Sequence, residues 1–128
     1  MAEARGFTPP SVIQVTGAST TGLSGFVSNI TNITLTPGSW LINAAGYIGG
    51  SGGTYLALAV STNSASYTGT VLGYTRFGFA ANATAGIAGG SLSFPVNIAS
   101  NTTYYFVGDT TMTGISSGAG SLTAIRIA

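Results

Sequence analysis

The sequence predicts an all-β fold, an antiparallel sandwich of about eight strands in the jelly-roll manner. Three observations predict it. Short runs rich in β-branched and aromatic residues recur along the chain, each bounded by Gly, Asn, Ser, Thr or Pro, which is the texture of strands and turns. No segment sustains a helical period between caps. The length of 128 residues suits one domain with a modest core, and that many short strands in it spell a sandwich or jelly roll.

Residues 1–11 read as an extended N-terminal arm, because Pro9-Pro10 belongs neither in a helix nor in a central strand. The plain alternative is a disordered terminus. Glu3, Arg5, Phe7, Pro9 and Pro10 are its candidate contact residues, and a neighbouring molecule is a more natural support for such an arm than its own domain. Residues 12–128 form the jelly-roll domain. Its expected strands are Val12–Thr16, Ile33–Thr36, Ser39–Tyr47, Thr54–Val60, Thr70–Phe79, Ser91–Ile98, Thr103–Asp109 and Ser121–Ile127. Pro37-Gly38 makes a tight turn between two of them. The glycines of 49–53 and of 114–120 mark flexible corners, and the Ala- and Gly-rich 80–90 reads as a loop.

The strands carry little for water on either side. In Thr54–Val60 one face holds Leu56, Leu58 and Val60, while the other holds Tyr55, Ala57 and Ala59. In Thr103–Asp109 the faces are Tyr105 with Val107 and Tyr104 with Phe106. A sheet with one wet face alternates more cleanly. Either loops cover the second face, or it packs on further copies of the chain, with Tyr and Phe supplying contact area.

Composition narrows function. Charged residues make up 4% of the chain, against about 25% in ordinary domains. Glu3 and Asp109 are the acids, Arg5, Arg76 and Arg126 the bases, and His, Cys and Lys are absent. General acid–base or nucleophilic catalysis has almost nothing to work with, since the Ser and Thr hydroxyls lack an adjacent base. The chain therefore reads as a non-enzyme without metal or other cofactor. Three Arg make no basic stripe, so nucleic acid is not an expected partner. No apolar run reaches the ~20 residues of a spanning helix, the N-terminus has no secretory apolar core, and a membrane is not expected either. Mean hydropathy is +0.46 and net charge +1, a poor recipe for a soluble monomer. Burial in an assembly follows.

Two stretches carry a resemblance. Ile33-Thr-Leu-Thr-Pro-Gly-Ser-Trp-Leu-Ile-Asn-Ala-Ala-Gly-Tyr47, and Thr103-Tyr-Tyr-Phe-Val-Gly108 with the closing Ser121-Leu-Thr-Ala-Ile-Arg-Ile-Ala128, resemble jelly-roll domains of the tumour-necrosis-factor and complement globular-head type. Bacteriophage structural proteins share that shape. The likeness covers residues 30–60 and 100–128. It implies a homotrimer with aromatic faces about a threefold axis, in a virion, and brings no catalytic residue. Tyr55, Tyr104, Phe106 and Arg126 are the candidate trimer-interface residues.

Arg126, between Ile125 and Ile127, needs a partner or a route to solvent. A hairpin of 103–109 with 121–127 would set it opposite Tyr104, where stacking on that ring or binding carbonyls across a subunit interface would satisfy it, with Asp109 near the tip as a turn or loop cap. Tyr74, Arg76, Phe77 and Phe79 form a second candidate cluster, read as interface packing or as a sugar or partner contact. Trp40 reads as a core anchor, with a sugar platform as the other possibility.

The leading expectation is a trimeric capsid decoration, or cement, protein on the surface of a virion, bound to the major capsid protein of the same virus. It rests on a sequence that reads as a complete small protein, on an arm suited to lying along a shell, and on apolar contacts that resist salt. The alternative is a receptor-binding tip of a phage fibre or spike, with loops Ser61–Thr70 and Ala80–Gly90 meeting host carbohydrate or protein. A lectin-like module of cellular origin stands third.

Overall fold

In a computed structural model the described residues are 11–19, 27–50, 55–78, 86–110 and 117–127. They form strands β1 (Val12–Ser19), β2 (Ser28–Leu35), β3 (Gly38–Gly50), β4 (Tyr55–Ser61), β5 (Val71–Gly78), β6 (Gly86–Ile98), β7 (Thr102–Thr110) and β8 (Ser117–Arg126). Two four-stranded sheets, ordered β1-β8-β3-β6 and β2-β7-β4-β5, are antiparallel throughout. Successive strands cross from sheet to sheet until β4 and β5 pair within one, the interleaved order of a jelly roll. The all-β sandwich expected from the sequence is the fold observed.

Between the sheets lie Trp40, Ile42 and Ala44 of β3, Leu58 and Val60 of β4, Tyr104 and Phe106 of β7, and Leu122 and Ala124 of β8. Ile30, Ile33 and Leu35 close the core from β2. The Phe106 ring of one layer packs closely on β3 and β8 of the other. Gly46 and Gly120 are cross-strand partners in β3 and β8. A Cβ on either would come within 2.8 Å or 2.7 Å of the Phe106 ring, so their bare backbones make room for it. At Pro37-Gly38 the chain passes from one sheet to the other, and Gly38 takes a φ of 142°, which glycine adopts readily.

Several strands run further than their side chains suggest. The glycine-rich 86–90, expected as a loop, continues β6 against Gly46–Gly50, and Ser117–Gly120, expected as a corner, continues β8 against the same stretch of β3. Backbone pairing, with Phe106 seated on part of this stretch, holds what residue preference does not. The expected 103–109/121–127 hairpin does not form. Strand β7 pairs with β2 and β4, whereas β8 pairs with β1 and β3 in the opposite sheet.

Candidate interaction surfaces

Alternation from the buried Ile42 and Ala44 fixes which positions of the β1-β8-β3-β6 sheet face outward. They fall into rows across the four strands: Val12–Ile125–Leu41–Pro95, then Gln14–Thr123–Asn43–Ser93, then Thr16–Ser121–Ala45–Ser91. The first row is apolar and the second polar, with the Ser93 hydroxyl donating to Asn43 Oδ1 at 2.7 Å. No position in the three rows carries a charge. Beyond the third row the small side chains leave a depression of about 470 Å³ beside Tyr47, over Gly46 and Gly120. Tyr47 itself is 47% exposed.

The outer face of β2-β7-β4-β5 is closed by the chain's own loop. Ala57, Ala59, Ser61 and Val107, which point outward by alternation, are fully buried. Residues 62–70 leave β4 and reach across the sheet to β2, where the Ala65 N–H donates to Asn29 Oδ1 and Asn29 Nδ2 donates to Ser64 Oγ, both at 2.7 Å. Midway, the Tyr67 hydroxyl donates to the Asp109 carboxylate and lies 3.4 Å from the Ala57 carbonyl oxygen. Tyr74 meets the Tyr67 ring edge-on, with centroids 5.1 Å apart. Loop polar groups are used locally: Ser61 Oγ donates to the Thr68 carbonyl, Asn63 Nδ2 donates to Thr68 Oγ1, and the Ser66 and Thr68 hydroxyls lie 2.7 Å apart.

A third surface is the end of the sandwich where β1 begins. Arg126 pairs with Trp40 across β8 and β3, and its guanidinium carbon sits 5.7 Å from the Trp40 ring centroid. Trp40 is buried, and its indole N–H donates to the Thr36 carbonyl at 2.9 Å. A ring so anchored is a fixed platform for a cation. Arg126 is exposed, and the start of β1 and the end of β8 also carry exposed apolar side chains: Val12 (59%), Ile13 (36%) and Ile127 (61%). Backbone bonds from Arg126 N to the Ser11 carbonyl and from Ile127 N to the Ser39 carbonyl, each 2.9 Å, tie this end together.

These surfaces correct several expectations. Tyr104 and Phe106 are 4% and 0% exposed. They pack inside their own subunit and do not face a neighbour, because β7 is a central strand whose Tyr104 and Phe106 point between the layers. Burial also raises the Tyr104 pKa above its ordinary 10.0. Arg126 stacks on Trp40 and not on Tyr104, since β7 and β8 lie in different sheets. Asp109 caps no turn: it is a buried strand residue bonded to Tyr67. Tyr74 is half exposed on β5, and the backbones of Arg76 and Phe77 stand opposite Ala57 and Leu56. The Tyr55 backbone pairs with Gly78. Phe79 and the arm residues Glu3, Arg5, Phe7, Pro9 and Pro10 lie outside the described residues. Tyr67 was not singled out from the sequence, although a lone Tyr in a hydroxyl-rich loop and a lone Asp ending an apolar strand were its signals.

No family model matches the sequence, and no curated protein matches it. Among solved structures, the chain is similar to the VP2 subviral particle of infectious bursal disease virus. The TM-score is 0.54 at 14% identity, over 91% of this chain and 32% of the other. A structure of the Gx strain of the same virus gives 0.52 at 16% identity, over the same shares. The chain spans about a third of the length of the proteins it matches. At these identities the likeness is one of fold.

Proposed function

We propose that this chain is a structural protein of a virus particle, a small jelly roll that associates with copies of itself as a trimer and decorates a shell by binding the major capsid protein. The observation that carries the reading is the outer face of β1-β8-β3-β6, where three rows of positions on four strands bear no charge. A soluble monomer of this size normally keeps its sheet faces charged. An uncharged face, bordered by exposed Val12, Ile127 and Tyr47, suits contact with another protein, and such contact keeps its strength in salt. The likeness in fold to a VP2 subviral particle supports the same reading, as jelly rolls recur in viral shells. Lectin domains use the fold too. Loop 62–70, however, directs many of its polar groups to itself and to its own sheet, which leaves the receptor-binding reading with less to work with.

The experiment offers the purified chain to undecorated shells and to intact host cells side by side. Saturable shell binding without cell binding supports decoration and a place on the virion surface. Cell binding without shell binding overturns it in favour of a receptor-binding tip.

A further inference from the structure

The β1-β8-β3-β6 sheet ends on two edges of unlike character. The Arg126 N–H donates to the Ser11 carbonyl at 2.9 Å, so Ser11 and, by alternation, Ile13 and Val15 turn their backbone groups toward β8. Val12, Gln14 and Thr16 therefore aim their N–H and C=O groups away from the sheet, where no described group bonds them. Beyond Thr16 the edge meets β2, because a Cβ on Gly17 would collide with the Ile30 carbonyl oxygen. The open stretch is residues 12–16. Such edges are normally blocked by proline, by charge or by a bulge. The opposite edge follows that rule. The Ile127 N–H bonds the Ser39 carbonyl, which turns Leu41 toward β8 and leaves its β6 partner Pro95 at a position whose missing N–H would face solvent. Strand β1 reads Val-Ile-Gln-Val-Thr-Gly-Ala-Ser, without proline or charge, and pairs with β8 without a register shift. Ile13 points inward by alternation yet is 36% exposed, and Val15 is only half-buried. This edge lacks both backbone partners and side-chain cover.

We propose that β1 pairs antiparallel with β1 of a second copy about a twofold axis at Gln14, joining their two four-stranded sheets into one. In this register Gln14 faces Gln14 and Val12 faces Thr16, each pair exchanging the backbone bonds that the free edge leaves open. Ile13 falls opposite Val15 of the other copy in the non-hydrogen-bonded position, where side chains come closest and β-branched pairs pack well. A second copy is the occupant because the segment complements itself. The twofold sets no like charges together, and it covers the exposed Ile13 of each copy with Val15 of the other. The contact goes beyond the trimer proposed above, since a twofold joins subunits of different trimers, and it does not depend on shell binding.

Substitutions at Gln14 in the full chain test the proposal. Its side chain is exposed and its N–H points away from β8, so each variant should fold; circular dichroism and the emission of the single Trp check this. Self-association is followed by sedimentation equilibrium, in which the natural chain should reach a dimer or a pair of trimers. Gln14→Pro removes the central donor and obstructs the incoming strand, and should weaken this pairing at least roughly tenfold. Gln14→Lys and Gln14→Glu each set like charges face to face and should weaken it too. Mixing those two variants should restore it, because opposite charges then meet across the axis. Several results overturn the proposal. They are a natural chain that stops at a monomer or a single trimer at every concentration, normal pairing of Gln14→Pro, or a mixture that pairs no better than either charged variant alone. A natural chain that does not pair, together with loss of shell binding in Gln14→Pro, would assign the edge to the shell protein and leave the decoration reading intact. Failure of the natural chain to bind shells is a separate result and bears on that reading alone.

Discussion

Substituting Gly120 by Ala puts the close approach of the two sheets to a direct test. The added Cβ would stand 2.7 Å from Phe106 Cε2, 3.1 Å from Cδ2 and 2.9 Å from the Ala45 carbonyl oxygen. Carbon atoms prefer about 3.5–4.0 Å, so the ring must retreat by most of an ångström. It has little space to do so, since Phe106 is fully buried and its Cε2 is also 2.8 Å from where a Gly46 Cβ would be. The Ala45 oxygen is backbone in a paired strand and yields less. Overpacking of this kind costs about 1–3 kcal/mol, offset by roughly 0.5–1 kcal/mol from replacing glycine within a strand. The expected net loss is about 1–2 kcal/mol. With a urea slope of about 1–3 kcal/mol/M for a small protein, the midpoint should fall on the order of 1 M. Phe106→Leu removes the ring, so the pair of substitutions should cost less than the sum of the two alone, by at least about 0.5 kcal/mol. An unchanged midpoint for Gly120→Ala, or strict additivity in the cycle, would refute the account of these glycines.

Three further outcomes are expected. Tyr67→Phe removes the hydroxyl that bonds Asp109 and should lower stability by about 1–3 kcal/mol; faster hydrogen exchange at the Ala65 amide, the far end of the same loop, would show the clasp loosening, and unchanged exchange would disconnect the two. Tyr104, its pKa raised above 10.0 by burial, should ionise late in an alkaline titration followed by phenolate absorbance. Because its folded pKa exceeds its unfolded one, the stability it contributes is intact below pH 10.0 and is lost as pH rises through the folded pKa; a Tyr104→Phe variant should lack that component of the alkaline loss. Self-association should weaken only modestly between low and high sodium chloride and strengthen in sulfate, since apolar contact resists screening; a steep loss in salt, measured by sedimentation, would mean that charge dominates the interface.

Strand positions were legible because β-branched and aromatic runs between turn formers survive any tertiary arrangement. Partners were not. The chain order brings β7 and β8 together in sequence, and a hairpin is the local expectation, yet the sandwich places them in opposite layers. That one step moved Arg126 from Tyr104 to Trp40 and Asp109 from a turn to a buried strand position. The glycines of β3, β6 and β8 misled for a related reason: their propensity opposes a strand, and the Phe106 ring from the other sheet, with the Ala119 and Ala45 carbonyls, explains the bare backbone at Gly46 and Gly120. For Tyr104 and Phe106 the difficulty lay in β7 itself, apolar on both faces, so that alternation could not say which side was inward.

The two outer faces of the sandwich differ in how they meet water, and that difference bears on assembly. One face is apolar at Ala57, Ala59 and Val107, and the chain covers it with its own loop. Those three residues therefore need no neighbour to cover them. The other face has no described loop bonded across it, and its uncharged rows pass from polar at Gln14–Thr123–Asn43–Ser93 to apolar at Val12–Ile125–Leu41–Pro95. Hydroxyl and amide groups can hydrate the middle of that sheet. The apolar row cannot be served in this way, and it adjoins Ile127 and the Arg126–Trp40 stack at the same end. Among the described residues, exposed Val12, Ile13 and Ile127 thus gather at one end of this sheet, where contact with another protein removes apolar surface at little polar cost.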